Sequence, residues 1–322
     1  MDTQRLAAYH KQFNSSDISR VFGEGYDFDL ALRSVLPAQV KRVALFAEMF
    51  FPSFGGASQA VYNTLRYLQQ TGREVMVFAP DNAPKQIGPS RIVAIPSVGM
   101  RDYPDLRLGL PVAEVSRHLE AFQPDLIHLS GPICFSARAV LFGRKRKIPV
   151  IGVYESNLPQ YLPYYKSGYL QGIMLRWQRY LHNQCDLTLV PSNYTLQVLD
   201  RCGYSHLQCW HHGVNEERFN PYRKSNLQRE RLLNGRDPAS LLCIYVGRLA
   251  PEKNIEALLD IARMPGVALT IIGDGPDRSQ LAQVFRGTQT FFTGYLLGYE
   301  LASAFASPMS SSSPARLKLS AW

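Results

Sequence analysis

The chain has 322 residues, of which 46% are hydrophobic and 19% charged, and this composition is typical of a globular protein large enough for two domains. No apolar run reaches the roughly eighteen residues that a membrane helix needs, and the N-terminus lacks the cationic and apolar segments of a secretory signal, so we expect a cytoplasmic protein. The five cysteines are scattered and form no C-x-x-C pair, which argues against a disulfide framework or a zinc site and predicts reduced thiols.

The formal net charge of +9 favours phosphate-bearing partners or an anionic membrane surface. Nucleic acid is not an expected partner, because no nucleic-acid-binding motif accompanies the charge. The densest basic run, Arg144 to Lys147, follows a helical stretch. Cations at the end of a helix stabilise its dipole, so we interpret this run as a solvated helix end.

The first half of the chain alternates between predicted strands and helices. Residues 1–41 form a polar extension with little pattern, and order begins with the apolar run Val43 to Ala47, which predicts a strand buried on both faces. The helix that follows is expected to end at Gly72. Further strands and helices alternate up to the strand "PVIGVY", which predicts a doubly wound parallel sheet with right-handed crossovers.

The second half begins with an aromatic-rich helix, "YLQGIMLRWQRYLHNQC", and a strand, "DLTLVPS", after which Ser192 starts another helix. We predict one domain over residues 42–213, a polar interdomain linker over 214–237 and a partial second domain over 238–307. The second domain has the strands "LLCIYVG", "ALTIIG" and "TFFTG" with helices between them, and the segment "NIEALLDIARM" is predicted as one of these helices. Residues 308–322 form a serine-rich tail without a regular pattern.

Ligands of open α/β sheets bind beyond the carboxyl ends of the strands, so the loops at those ends are the candidate sites. The first loop, "FGGAS", contains Gly55 and Gly56, which let backbone N–H groups approach an anionic or sugar-bearing ligand. Paired glycines also occur in ordinary turns. The complete G-x-G-x-x-G pattern is absent, so a dinucleotide oxidoreductase is disfavoured.

Two further loops belong to the second domain. In "VGRLAPEKN", Arg248 and Lys253 place two cations near the start of the next helix, where a pyrophosphate would bind; the alternative is two solvated surface charges. In "IIGDGPDRSQL", Gly273, Asp274 and Gly275 form a tight turn that either contacts a ligand or is a plain strand-to-helix turn with Asp274 as the helix cap.

Together these stretches resemble the retaining glycosyltransferases of the GT-B fold, in the large nucleotide-sugar-dependent family called group 1. The matching stretches include "HHGVNEERFNP", "VGRLAPEKNIEALL" and "IIGDGPDRSQL", and they cover most of residues 42–308. The chain looks closest to the branch of sulfoquinovosyl-diacylglycerol synthases and lipid mannosyltransferases. The resemblance implies an α/β fold of two Rossmann-like, doubly wound parallel-sheet domains, of which the second is incomplete here.

The resemblance also implies roles for particular residues. The acceptor, a lipid or a glycan, would bind the first domain, and the nucleotide sugar would bind the second. Arg248 and Lys253 would bind the donor diphosphate with no required metal and no cofactor, and Gly55 and Gly56 would approach the donor from the other side. The Gly273, Asp274 and Gly275 turn would also bind the donor.

Tyr154, Glu155 and Ser156 occupy the position where many members of the family carry Tyr-His-Thr, so Glu155 is the candidate catalytic residue. A carboxylate can accept hydrogen bonds from sugar hydroxyls but cannot donate as a histidine can. Tyr154, Ser156 and Tyr161 would face the acceptor.

The aromatic region that includes Tyr161, Tyr164, Tyr165, Tyr169 and Trp177 suits either a wall for a lipid acceptor or core packing. His211 and His212 match the interdomain crossover of the family, where a hinge is favoured over a metal site.

The tail departs from the family, which continues here into a strand and a glutamate-bearing loop. The tail can be encoded by DNA that, read two bases later, gives "DVFVFPSSTETFGL", which is the expected motif. We therefore predict a frameshift near Ser307 or Pro308, and impaired catalysis by the chain as written. The function predicted by lineage is transfer of a sugar with retention of configuration by a cytoplasmic enzyme that associates peripherally with membranes. The alternative is a non-catalytic binding module or an inactive fragment.

Overall fold

The computed structural model describes residues 39–48, 50, 56–100, 103–211 and 213–307. Most of the predicted N-terminal extension, Gly55, His212 and the predicted aberrant tail, 308–322, lie outside the described residues. The chain divides into two compact units at Gly213. The predicted domain boundaries stay predictions, and the two units are described separately below.

The first unit is an α/β unit in which most strands were expected from their apolar runs. Its strands are β1 (Arg42–Ala47), β2 (Glu74–Pro80), β3 (Gln86–Ile87), β4 (Ser90–Ile95), β5 (Ser97–Met100), β6 (Tyr103–Gly109), β7 (Leu126–Ser130), β8 (Val150–Val153), β9 (Leu187–Val190) and β10 (Leu207–Cys209). Its helices are α1 (Gly56–Gln70), α2 (Ala113–Phe122), α3 (Ser136–Arg146), α4 (Leu158–Tyr161), α5 (Gln171–Asn183) and α6 (Asn193–Arg201), with 3₁₀ turns at Leu162–Tyr165 and Gly168–Leu170.

Within the described residues the main sheet of the first unit has the strand order β10-β9-β8-β7-β1-β2-β4-β3, and all its neighbours are parallel except the short β3 against β4. A separate antiparallel pair, β5 and β6, was not predicted from the sequence. Strands β8, β7 and β1 are adjacent and parallel near the centre of the sheet. Their carboxyl ends therefore lie at the same edge of the sheet. Any polar side chains that follow these strands are therefore brought together.

The core of the first unit explains why β1 reads as a continuous apolar run. Val43 to Ala47 are all buried, because helices cover both faces of a parallel sheet. Phe46 of β1 stacks on Phe78 of β2 with ring centroids 4.3 Å apart.

Ser192 accepts a hydrogen bond from the backbone N–H of Thr195, which confirms it as the N-cap of α6. Gly72 has a positive φ of 76°, as a helix C-terminal glycine requires.

The second unit has a sheet of three parallel strands in the order β11-β12-β13 within the described residues. Its elements are β11 (Leu241–Val246), β12 (Val267–Ile272), β13 (Phe291–Gly294), α7 (Asn226–Leu233), α8 (Leu259–Ala262), α9 (Arg278–Val284) and α10 (Gly298–Ala306), with 3₁₀ turns at Pro221–Arg223, Pro251–Lys253 and Ile255–Leu258. Apolar clusters cover both faces of this sheet.

Two predicted segments of the second unit differ from the structure. The predicted linker, 214–237, contains α7, and Leu232 and Leu233 of this helix are buried in the core beside Leu242. That part of the linker belongs to the second unit, because its apolar residues pack on the sheet. The segment predicted as one helix after Lys253 is instead a 3₁₀ turn followed by the single turn α8.

Three expectations from the sequence can be compared with the structure. The described residues contain every cysteine of the chain, and all five are free thiols, as expected. In the described part of the chain, no helix has the length and apolar character needed to cross a bilayer. The basic run lies in the last turn of α3, where Arg144, Lys145 and Arg146 complement the helix dipole as predicted.

Candidate functional site

In the first unit, three polar side chains lie at the carboxyl ends of adjacent strands. Glu48 directly follows β1, Ser130 is the last residue of β7, and Glu155 lies two residues after β8. Because these strands are neighbours in a parallel sheet, their ends form one edge. The sequence analysis identified only Glu155 of the three.

Glu155 is partly buried, and the hydroxyl of Ser130 donates a hydrogen bond to its Oε1. Burial raises the pKa of Glu155 to about 8, although the hydrogen bond from Ser130 lowers it. The carboxyl group therefore holds a proton at neutral pH and can donate a hydrogen bond. The sequence analysis treated Glu155 as an ionised carboxylate, which only accepts hydrogen bonds, because it did not consider desolvation.

The second oxygen of Glu155, Oε2, faces Gly131, the first residue after β7. A Cβ built on Gly131 would lie 3.8 Å from that oxygen, and Gly131 has a positive φ of 61°. The chain turns sharply here, in a conformation that favours glycine.

The other residues predicted on the acceptor side differ in exposure. Tyr154 is buried in an aromatic cluster, with its ring centroid 5.7 Å from that of His182 and 6.1 Å from that of Tyr204. Burial raises its pKa. Tyr154 therefore packs in the core, and the prediction that it faces the acceptor is not supported by its position. Ser156 and Tyr161 are partly exposed.

Glu48 was missed by the sequence analysis. It is buried, and its Oε1 accepts hydrogen bonds from the backbone N–H groups of Ile133, Cys134 and Ser136 at 3.2, 2.7 and 3.0 Å. Its Oε2 is buried without a hydrogen-bond partner in the described structure. Burial raises the pKa of Glu48 to about 6, and the backbone hydrogen bonds oppose this rise.

The carboxylate of Glu48 serves as a cap for α3 that comes from a distant element. The N-cap residue of this helix, Phe135, makes no side-chain capping bond. A buried carboxylate at a helix N-terminus satisfies N–H groups that have no partner inside the helix and interacts favourably with the helix dipole. The only signal in the sequence was an acidic residue directly after an apolar strand.

Gly56 is the first residue of α1. A Cβ built on it meets no atom of the described protein within 4 Å, and its φ is not in the positive range. The folded unit itself thus has no steric need for glycine at this position. Its predicted partner, Gly55, lies outside the described residues.

In the second unit, the loop after β11 packs directly on the loop after β12. The N–H of Leu249 donates to the carbonyl of Asp274, and the N–H of Asp277 donates to the carbonyl of Leu249, both at 3.0 Å. A Cβ on Gly273 would lie 1.9 Å from the carbonyl oxygen of Gly247, and a Cβ on Gly275 would lie 2.2 Å from that of Leu249. Both glycines are therefore required by this contact between loops, whatever they do with a ligand.

Arg248 lies in the loop after β11 and forms an ion pair with Glu252, with 3.0 Å between Nη2 and Oε1. Lys253 ends the 3₁₀ turn that contains Glu252 and is partly exposed. The two predicted cations thus lie in one loop. The single helix predicted after this loop is instead a 3₁₀ turn that continues into the one-turn α8, so the dipole near these cations is smaller than that of a long helix.

Asp274 does not cap the following helix. Its Oδ1 accepts the N–H of Gly275 at 2.8 Å and its Oδ2 pairs with Arg278 at 3.1 Å. The N-cap position of α9 belongs to Asp277, whose side chain makes no capping bond. Asp274 therefore stabilises the turn by a local hydrogen bond and an ion pair.

At the boundary of the two units, His211 lies next to Cys209, with 3.5 Å between Nε2 and Sγ. In the described part of the chain, His, Cys, Asp and Glu side chains form no group of three or more that could hold a metal ion.

Comparison with known proteins shows the family of this chain. Residues 54–218 match Glycosyltransferase Family 4. The chain is 34% identical over 272 residues to a GDP-mannose-dependent alpha-mannosyltransferase of Mycobacterium tuberculosis, which covers 83% of this chain and 71% of that protein. It is also 34% identical over 274 residues to the sulfoquinovosyl transferase SQD2 of Arabidopsis thaliana, covering 83% of this chain and 54% of that protein.

Among solved structures, the fold is similar to sucrose-phosphate synthase of Thermosynechococcus elongatus, with a TM-score of 0.63 and 19% identity over 83% of this chain and 74% of that one. It is also similar to Anabaena HepE in complex with UDP-glucose, with a TM-score of 0.59 and 14% identity over 81% of this chain and 70% of that one. The predicted GT-B fold and the resemblance to the mannosyltransferase and sulfoquinovosyl branch are confirmed. The chain belongs to glycosyltransferase family 4.

Proposed function

We propose that this chain moves a sugar from a nucleotide-diphosphate sugar to an acceptor, with retention of configuration and without a metal ion. One observation supports this above the others. Arg248 and Lys253 lie in one loop at the carboxyl edge of a parallel sheet, and that loop is held against the loop after β12. Ligands of open α/β sheets bind at this edge, and a diphosphate is the anionic part of the donor.

The proposed chemistry follows from charge. As the bond between the sugar and the diphosphate breaks, negative charge develops on the leaving phosphate, and the cations of Arg248 and Lys253 stabilise it. Gly56 offers a surface without a side chain, so that a ligand can approach the backbone closely. In the first unit, Glu155 at the carboxyl edge of the sheet is the proposed catalytic residue.

The names of two relatives determine which donor we test first. The proteins of Mycobacterium tuberculosis and Corynebacterium glutamicum are both called GDP-mannose-dependent, so GDP-mannose is the first donor to test. A third relative, 25% identical over 280 residues, is the alpha-monoglucosyldiacylglycerol synthase of Streptococcus pneumoniae. We take diacylglycerol as the first acceptor on this basis.

A lipid acceptor requires contact with a membrane, and α5 has a suitable surface. Ile173, Trp177 and Tyr180 lie on one face of this helix, and 60%, 38% and 51% of their respective surfaces are exposed. The sequence from Leu158 to Cys185 contains no acidic residue but includes Lys166, Arg176 and Arg179. Aromatic side chains beside cations suit the interface of an anionic bilayer.

The sequence left two alternatives for the aromatic region, core packing or a wall for a lipid acceptor, and its residues divide between them. Tyr165 is buried, whereas Tyr164, Tyr169 and Trp177 are exposed. Arg144 of the basic run hydrogen-bonds Gln184 just after α5, so that run lies beside the same helix. We propose that this face binds an anionic membrane peripherally.

The proposed activity is tested with the 322-residue chain, radiolabelled GDP-mannose, and vesicles that contain diacylglycerol and phosphatidylglycerol. Because impaired catalysis is predicted for the chain as written, we expect slow formation of a mannolipid with the anomeric configuration of the donor, as read by NMR, and loss of this transfer in Arg248→Gln. Arg231→Gln, an exposed cation on α7, is the control. Binding of GDP without transfer would favour the alternative of a binding module, and an absence of GDP and UDP binding would overturn the proposal.

The membrane face is tested by sedimentation with vesicles of phosphatidylcholine alone or with phosphatidylglycerol. We expect binding to the anionic vesicles only, and at least severalfold weaker binding for the double variant Ile173→Ser/Tyr180→Ser. Tyr194→Ser is the matched control, because Tyr194 is equally an exposed aromatic side chain but lies on α6. Equal loss in the control would contradict the assignment of this face.

A further inference from the structure

The ion pair between Arg248 and Glu252 is largely removed from solvent. The side chain of Arg248 is 17% exposed and that of Glu252 only 3%, and Nη2 of the arginine lies 3.0 Å from Oε1 of the glutamate. The sequence analysis assigned no role to Glu252, although this residue lies in the loop "VGRLAPEKN".

A buried ion pair contributes little net stability to a folded protein. Removing two charges from water costs solvation energy that their attraction barely repays, and apolar residues of similar volume often stabilise a protein as well or better. Where such a pair is found in a candidate binding loop, a second explanation is needed for it. The explanation we consider is orientation of the arginine.

The backbone around Arg248 is already held in place. The Tyr245 hydroxyl donates to the carbonyl of Arg248 at 3.3 Å, and the N–H of Gly247 donates to the carbonyl of Ile272 at 3.0 Å. On the other side, the N–H of Leu249 is bonded to Asp274. The ion pair with Glu252 acts on the side chain of Arg248 and is separate from these backbone contacts.

We infer that Glu252 is a positioning residue that holds the guanidinium of Arg248 in the direction needed to contact the diphosphate of the donor. An arginine side chain has several rotatable bonds, and restricting them before the ligand binds lowers the entropy lost on binding. Glu252 also offsets one positive charge of the loop. This inference rests on the proposed function, because it needs a phosphate-bearing ligand at Arg248.

The two roles of Glu252 predict opposite effects, which makes the inference testable. If Glu252 only neutralised Arg248, then Glu252→Gln would add one net positive charge and tighten the binding of a polyanion, most strongly at low salt. If Glu252 positions Arg248, the same substitution weakens binding at both low and high salt.

The experiment measures the Kd of GDP and of UDP by calorimetry for the full chain at low and high salt. For Glu252→Gln we expect about tenfold weaker binding at both salt concentrations, which is the size of one charge-assisted hydrogen bond. Glu256→Gln is the matched control: its carboxylate lies in the same segment, is exposed and pairs with Gln280 at 2.9 Å. We expect the control to bind as the wild type does.

A double-mutant cycle separates positioning from a general loss of structure. Arg248→Gln is used because glutamine can still donate a hydrogen bond to the buried Glu252. Since Glu252 acts through Arg248, adding Glu252→Gln to Arg248→Gln is expected to weaken binding no further. A general distortion of the loop would instead add to the effect of Arg248→Gln.

The outcomes distinguish the inference from the function on which it rests. Wild-type protein that binds neither GDP nor UDP overturns both. Wild-type binding that is lost in Arg248→Gln but unchanged or tightened in Glu252→Gln keeps the proposed function and overturns the inference, as does an additive cycle.

Discussion

The carboxylate of Glu48 accepts the backbone N–H of Ser136 at 3.0 Å across a separation of 88 residues. The same oxygen also bonds the N–H groups of Ile133 and Cys134. The indole N–H of Trp177 donates to the carbonyl of Ile133 at 2.5 Å. The loop between Ser130 and α3 is thus held by one buried side chain after β1 and by one side chain of the proposed membrane helix.

The first prediction concerns Glu48. Glu48→Ala leaves three N–H groups without this acceptor, two of them in buried hydrogen bonds, so we expect the free energy of unfolding of the first unit to fall by about 3 kcal/mol. Glu48→Gln keeps an acceptor oxygen and should cost less. Urea unfolding followed by tryptophan fluorescence measures both, with Glu114→Gln, an exposed residue paired with Arg117, as the control. Equal stability of Glu48→Ala and the control would contradict this capping role.

The second prediction concerns the proton of Glu155. Because the pKa in the folded protein is raised from 4.5 to about 8, the folded state holds this proton after the unfolded state has lost it. The contribution of Glu155 to stability is therefore present below pH 4.5 and is lost as the pH rises through about 8. Glu155→Gln does not titrate, so its stability relative to the wild type should increase across that window.

The measurement for Glu155 is urea unfolding at a series of pH values. Glu114→Gln again serves as the control, and we expect its stability to follow the wild type at every pH. A wild-type protein whose stability changes with pH in parallel with Glu155→Gln would show that the carboxyl group titrates normally in the folded state.

The third prediction concerns Gly275. Alanine at this position would place a Cβ 2.2 Å from the carbonyl oxygen of Leu249, and a backbone atom cannot turn away as a side chain can. We expect Gly275→Ala to destabilise the second unit by about 3 kcal/mol. Gly172→Ala is the control, because a Cβ there meets nothing within 4 Å and lies in a helix. Thermal unfolding with similar midpoints for both variants would refute the steric argument.

The fourth prediction concerns Arg236, which ties α7 to the sheet of the second unit. Its guanidinium donates to the carbonyls of Leu232, Leu233, Leu269 and Gln289 and to the hydroxyl of Thr270. Lysine cannot reproduce this planar set of donors. We expect Arg236→Lys to lower the free energy of unfolding by about 2 kcal/mol, and the exposed Arg231→Lys to change it little, as measured in urea.

Much of the fold was predictable because its signals are local. Val43 to Ala47 form a strand whose apolar run reflects burial on both faces. Ser192 caps a helix through a bond to Thr195, three residues away. Such patterns depend on the backbone period and on near neighbours, which the sequence contains directly.

The segment after Lys253 shows where a local signal misled. Its apolar residues suggested one long helix, but Asn254 has a positive φ of 45° and Ile255 and Leu258 are buried three residues apart, as in a 3₁₀ turn. Packing of these two side chains into the core determines the turn. Helix propensity is a weak preference that such packing overrides.

By itself, the sequence determined the alternation of strands and helices, and therefore which side chains follow a strand at the carboxyl edge of each sheet. Only the tertiary structure decided the chemical state of those side chains. Glu155 keeps its proton because it is desolvated beside Ser130, and Glu48 has its partners more than eighty residues away. Burial and long-range hydrogen bonds depend on segments distant in the chain, so no local pattern records them.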